Sequence, residues 1–438
     1  MKKKILPAAI IVGLIILILG IIGISSLIRK YTPTKETEDL NKYFNISSED
    51  ESALIVDNTV SDSKAKLIDG KIYVDYNFVH DSLNSRFYWD ANENVLLYTT
   101  AADIVSAAAD SSTYTVTKQA NDFGYPIVKA TSSSALIALD YVKQFSNITY
   151  KSYDKPSRTV ITTSWGKIET ASTAKSTQLR VKGGIKSPIL KQVKKGESLT
   201  ILEKGTKWDK AASKDGIVGY IKASTLSDIK TTELKNNDYT EEAFTHIKKD
   251  KDICLAWHQI TNKSSNSKVA NVISSTKGVN VMSPTWFYLN DNNGGLADLA
   301  SKDYVNYCHS QGIEVWGLFS NLENKNVDAA SVLTHTSTRT TLINQIMSAA
   351  FNYELDGVNI DFENITKEAY GDSYIEFIRE LAIKCHNNGI SLSVDVTVPA
   401  SYNKFFNRAD MANFADYVII MGYDEHYNGS DAGSVASL

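Results

Sequence analysis

The stretch LDGVNIDFENI, Leu355 to Ile365, decides the fold of the C-terminal half. Val358, Ile360 and Phe362 alternate with Asn359, Asp361 and Glu363. Successive strand side chains point to opposite faces, so the rhythm predicts a buried strand. The apolar face packs on helices and the other delivers polar groups to a mouth. A row of polar groups on a hydrophobic strand is costly unless it does chemistry or binds a metal.

From Lys251 onward, apolar strands alternate with longer helical stretches, the pattern of βα units and a parallel sheet. Strands are predicted at Ile253–Ile260, Val279–Leu289, Glu314–Leu322, Gly357–Ile365, Ser391–Pro399 and Tyr417–Tyr423, and a helix at Tyr370–Asn387. A closed (β/α)₈ barrel needs eight strands and about 250 residues. The expectation is a TIM-type (β/α)₈ barrel over residues 250–438 that stops after its sixth strand.

The acidic strand resembles the DxxDxDxE strand of glycoside hydrolase family 18, the chitinase-like enzymes, with Asn359 where the family usually has its middle Asp. YVIIMGYDEHY, Tyr417 to Tyr427, resembles the family's MxYD strand end through Met421, Tyr423 and Asp424. The resemblance covers roughly residues 250–438. It implies substrate-assisted retaining hydrolysis of β-1,4-linked N-acetylglucosamine glycans, in which the substrate's own acetamido oxygen replaces an enzyme nucleophile. Glu363 would be the general acid and later the base. Asp361 would orient the acetamido group and raise the proton affinity of Glu363. Tyr423 would bond the acetamido oxygen, and Met421 and Asp424 would line the sugar subsite. Asp356 and Asn359 complete the substrate-binding candidates, Asp356 as a brace of the strand end. Because an amide at 359 cannot share a proton with Asp361 as a carboxyl could, Asp361 is expected to be more persistently ionised than with the family's usual Asp there, which bears on the pH optimum more than on the activity. Trp286 and Tyr288, ending the second strand, are candidates for stacking on sugar faces. Trp316 is a further candidate for stacking, His258 and Gln259 for the groove, and Asp395 for the mouth. No metal or cofactor is expected.

The rest of the chain bears on location and partners. Its 438 residues are too many for one core. A net charge of −4 gives it no polyanion-binding character, so no nucleic-acid partner is expected. MKKK precedes an uncharged apolar run, Ile5 to Ile28, long enough to cross a membrane. With no A-x-A cleavage site, residues 1–30 read as an uncleaved anchor, lysines inside and the remainder extracytoplasmic. A cleaved signal peptide, giving a secreted protein, is the alternative. Cys254, Cys308 and Cys385 lack zinc-ligand spacing and read as buried thiols without disulfides.

Residues 31–50 read as a stalk within a 31–165 α+β surface module. That module holds a faint duplication, Lys71–Thr100 echoed by Ala135–Ser164. It resembles the copper amine oxidase N-terminal-like repeat, though it holds no clustered His or Cys to bind copper. Residues 166–176 read as a linker, and 227–250 as a second one. Residues 176–228 resemble a bacterial Src-homology-3-like module, whose excess of lysines would attract anionic wall polymers. These modules favour peptidoglycan over chitin as the polysaccharide. A chitinase or a non-catalytic wall-binding protein are the alternatives.

Overall fold

The computed structural model describes residues 5–363, 365, 370–423, 425–426 and 429–436, with side chains from Ile10 onward. The chain groups into two units, Met1–Asp75 with Leu139–Thr240, and Tyr76–Ala138 with Glu241–Leu438. This division cuts through the 31–165 segment that the sequence presents as one module. Both copies of the duplication nevertheless fold alike. Strand Lys71–Asp75, helix Tyr76–Ser82 and hairpin Phe87–Asp90/Val95–Thr99 are repeated as Ala135–Ala138, Leu139–Gln144 and Thr149–Tyr153/Arg158–Thr162.

The first unit begins with helix Ile5–Tyr31. Its segment Ile10–Tyr31, with mean hydropathy 2.9 and nothing buried, is long and apolar enough to cross a membrane. Two sheets follow. The second is seven-stranded, and its antiparallel pairings join Ile189–Val193, Thr177–Arg180, Val218–Lys222, Trp208–Ser213, Ser198–Glu203, Gly166–Thr173 and Leu226–Leu234 in that order. Three expectations change here. The 31–50 stalk contains helix Leu40–Phe44, whose Phe44 is buried with Leu179, Leu190 and Ile221. The 166–176 linker is largely strand Gly166–Thr173, paired on both sides. The 227–250 linker starts as strand Leu226–Leu234. Small hydroxyl side chains disguised these last two, because they satisfy one another across the ladder, as Thr170 and Thr232 do at 2.9 Å.

The second unit is built on six parallel strands in sequence order: β1 (Leu255–His258), β2 (Val281–Pro284), β3 (Glu314–Ser320), β4 (Gly357–Asp361), β5 (Ser391–Thr397) and β6 (Tyr417–Met421). Helices α1 (Lys302–Ser310), α2 (Thr336–Tyr353), α3 (Gly371–His386) and α4 (Arg408–Phe414) connect them. All six predicted strands are present, but the second divides. After β2 the chain turns, and Phe287–Leu289 pairs with β3 and with Leu296–Asp298 as an inserted hairpin. The sheet curls strongly. On a flat sheet β1 and β4 would lie about 14 Å apart at about 4.8 Å per step. Yet Trp257 of β1 bonds Asn359 of β4 directly, at 3.0 Å. The curled face is the inside of a half-barrel.

Val358, Ile360 and Phe362 face outward as the alternation predicts, and Phe362 stacks on Tyr374 and Phe377 of α3. On the inner face, Gly357 leaves room for the Trp316 ring; a Cβ there would meet it at 2.6 Å.

Helix α3 is buried on both sides. A five-stranded antiparallel sheet, from Phe87–Asp90 through Gln119–Asp122, belongs to the same unit and engages it. Tyr88 Oη meets Ser373 Oγ at 2.9 Å, and Thr99 Oγ1 donates to Glu376 at 2.7 Å. Arg379 bonds Glu376, Asp410 and the carbonyl of Arg86. Arg339 of α2 pairs with Glu380 beneath the Tyr88 ring. Asp90 accepts from Thr336 N and Oγ1 at 2.6 Å, supplying the cap that His335 does not give α2.

Candidate active site

Parallel β strands deliver their C-terminal ends to one rim, where barrel enzymes place their chemistry. Asp361 ends β4 there, half-buried on the inner face, and exposed Glu363 follows two residues on. The backbone N–H of Glu363 donates to Asn321 Oδ1 at 3.1 Å, tying the strand exit to the loop after β3. Ser320, at the end of β3, donates to Glu323 in that loop. Tyr423 leaves the end of β6 43% exposed, and its hydroxyl donates to Met421 Sδ at 3.0 Å. Its ring lies edge-on to Trp257 of β1, centroids 6.4 Å apart. Trp257 is itself 39% exposed, so β1, β4 and β6 contribute to one aromatic and acidic rim.

Below the rim sits a polar hub on Asn359, which is fully buried. Its Oδ1 accepts from Trp257 Nε1 at 3.0 Å and from Ser283 Oγ of β2 at 2.9 Å. Its Nδ2 donates to Asp395 Oδ1 of β5 at 2.9 Å. The indole N–H can only donate, so Trp257 fixes which end of the amide faces which strand.

The electrostatics follow from burial. Burial pushes the Asp361 carboxyl up to about 7, with further upward pressure from Glu363 and then Glu323. Burial pushes Asp395 up to about 8 against the lowering hydrogen bond from Asn359, with Asp361 and Glu363 adding to the rise. Desolvation and the neighbouring acids thus raise Asp361 even though its neighbour at 359 is a neutral amide.

Other candidates separate by position. Asp356 stands at the opposite, N-terminal end of β4, where Oδ2 accepts from Val315 N and meets His309 Nε2, both at 2.8 Å. It braces the strand and is not brought to the rim, so its place among the substrate-binding candidates is corrected. Trp286 is fully buried, with Nε1 bonded to Asn266 at 2.7 Å and its ring against Tyr304, so it offers no face to a sugar. Trp316 is likewise interior, against Tyr417. Tyr288 pairs in register with Ser320, which sets its side chain on the inner face. Met421 is buried at the end of β6. His258 points away from Trp257 and bonds Tyr304 of α1. Asp424 lies outside the described residues. Of the three thiols, Cys308 and Cys385 are buried, whereas Cys254, just before β1, is exposed.

Sequence reading missed Trp257, Ser283, Asn321 and Glu323. Trp257 carried a signal, since it precedes His258 on a predicted strand and so had to face the other way. Asn321 and Glu323 lie in SNLE, which shows no spacing that marks chemistry.

Residues 325–438 match glycosyl hydrolases family 18. The matched segment carries β4 to β6 and their acids. The chain is 26% identical over 158 residues to the uncharacterized glycosylase YvbX of Bacillus subtilis (strain 168), covering 34% of this chain and 46% of that protein. It is 31% identical over 111 residues to a protein described as a sporulation-specific glycosylase, YdhD, of the same organism, covering 24% and 26% respectively. The chain thus spans less than half the length of these relatives. Among solved structures, the Bacillus cereus spore cortex-lytic enzyme SleL has a TM-score of 0.38 and 18% identity, covering 47% of each chain.

Proposed function

We propose that this chain hydrolyses β-1,4-linked N-acetylglucosamine glycans, peptidoglycan before chitin, by substrate-assisted retaining catalysis outside the cytoplasm. The observation that carries the reading is the pairing at the end of β4: Asp361 half-buried with its carboxyl raised to about 7, Glu363 exposed beside it. Glu363 gives its proton to the glycosidic oxygen. The substrate's acetamido oxygen then bonds the anomeric carbon as the leaving sugar departs. Asp361 accepts the acetamido N–H and stabilises the positive ring so formed. Water, deprotonated by Glu363, opens the ring and restores the sugar with its configuration retained. Tyr423 and Trp257 border the same rim and would embrace the sugar at that subsite. Two carboxyls at i and i+2, about 6.5–7 Å apart at their Cα atoms, suit one acetamido sugar approached from one side.

Helix Ile5–Tyr31 would hold the chain at a membrane or serve as a signal sequence, and residues 176–228 would contact anionic wall polymers. Turnover of purified peptidoglycan, followed by reducing-end release, tests the reading. Glu363→Gln should lower the rate by about 10²–10⁴. Equal release by wild type and variant would remove Glu363 from its role and leave a glycan-binding protein.

A further inference from the structure

We propose that Asp395 is a positioning residue for Asp361: the two carboxyls share one proton across β4 and β5, and Asp395 keeps it when Asp361 turns toward the substrate's acetamido group. The proposal rests on the glycosidase reading for what the proton accomplishes, but not for where the proton is.

The geometry is that of a facing pair. Ile360 is in register with Val394, which sets Asp361 and Asp395, one residue further along, side by side on the inner face. Neighbouring parallel strands lie about 4.8 Å apart, within reach of a carboxyl–carboxyl hydrogen bond. Asp395 Oδ1 is taken by Asn359 Nδ2, whereas buried Asp395 Oδ2 has no hydrogen-bond partner among the described residues. Asp361 Oδ1 is in the same condition. A buried carboxylate with an idle oxygen next to another is costly, and one proton between them relieves both. Asn359 cannot hold that proton. Its Oδ1 already accepts two hydrogen bonds, and an amide nitrogen has no acidic proton to give.

The other groups facing the pair do not neutralise it. Glu363 on the β4 side adds negative charge to both acids, and Glu323 adds it to Asp361. Tyr374 of α3 is fully buried; that burial, and after it Asp395 and Asp361, hold its hydroxyl far above its usual range. That hydroxyl also has no partner among the described residues, and it remains a neutral neighbour. Trp257 closes the β1 side. In this setting Asp361 becomes an anion that can accept the acetamido N–H only while Asp395 retains the proton. When Asp361 is turned toward Asp395 instead, the proton bridges them.

Two measurements on the detergent-solubilised full chain test this. The first is infrared spectroscopy with ¹³C-carboxyl aspartate at pH 7. Wild type should show one protonated aspartate band that Asp395→Asn abolishes. Absence of that band in wild type, or its survival in Asp395→Asn, overturns the proposal whether or not the protein is an enzyme. The second is the pH profile of glycan release, with Glu363→Gln alongside. Asp395→Asn supplies a permanent hydrogen-bond donor to Asp361, so the acid limb should move down by about one pH unit or more. Asp395→Ala should lose about ten- to a hundredfold, since Asp361 is then unpositioned. If both variants lose activity by one factor at every pH, with the limbs fixed, Asp395 is merely structural and the proposal falls. Wild-type release that Glu363→Gln does not diminish would refute the glycosidase reading instead, and the infrared band would still decide where the proton lies.

Discussion

Replacing Asn359 by Asp would restore the family's usual motif, yet the hub makes it a damaging change. In the structure Asn359 Nδ2 donates to Asp395 Oδ1 at 2.9 Å. A carboxylate there would put two oxygens at that distance with no hydrogen between them. Two charges about 3 Å apart repel by about 6 kcal/mol at an effective dielectric of about 20. The cheaper outcome is uptake of a further proton. Holding an aspartate of unfolded pKa about 3.9 neutral at pH 7 costs about 4 kcal/mol, and at pH 5 about 1.5 kcal/mol. The sign follows from linkage. A carboxyl raised in the folded state loses stability as pH climbs from the unfolded pKa to the folded one, so the deficit of Asn359→Asp should shrink by about 2.7 kcal/mol between pH 7 and pH 5. Urea unfolding followed by tryptophan fluorescence at the two pH values measures it, with the transition of the barrel unit fitted separately. The swap Asn359→Asp with Asp395→Asn returns a donor to the 2.9 Å contact and should recover about 2–3 kcal/mol at pH 7. A deficit equal at both pH values, or a swap no better than the single change, would refute the charge argument.

Gly357→Ala should lower the unfolding midpoint by an amount corresponding to about 1–3 kcal/mol, because its Cβ would meet the Trp316 ring at 2.6 Å; an unchanged urea midpoint would show that the ring has another place to go. Trp257→Phe removes the 3.0 Å bond to Asn359 from a half-buried position and should weaken binding of chitooligosaccharides by about 1 kcal/mol, read by calorimetry, with a smaller loss of stability.

Much of the barrel was legible because its signals are periodic. Val358, Ile360 and Phe362 could only be the outer face of a strand, and that fixed the inner face carrying Asn359, Asp361 and Glu363. The partners of that inner face were not legible. Nothing in the spacing of Trp257, Ser283 and Asp395 tells that three different strands converge on one amide, since convergence comes from the curl of the sheet. Asp356 shows the complementary limit. It sits in the same acidic run as Asp361, yet five residues along a strand separate the two ends of the sheet. In the first unit, Thr- and Ser-rich segments read as linkers because their hydroxyls look solvent-directed until a ladder partner is known.

Helix α3 carries a consequence for how this chain can vary. An outer helix of a barrel ordinarily shows one tolerant side, where drift is cheap and sequence records little. Here Glu376, Arg379 and Glu380 are buried under the antiparallel sheet alongside Tyr374, Phe377 and Ile378. Saturation mutagenesis across α3 should therefore yield an almost uniform band of intolerance instead of a stripe every third or fourth residue. Charge reversals at those three sites should be punished as severely as cavities in the core, unless compensated at their partners Thr99, Asp410 and Arg339. Lineages that change one side of that seam should have changed the other.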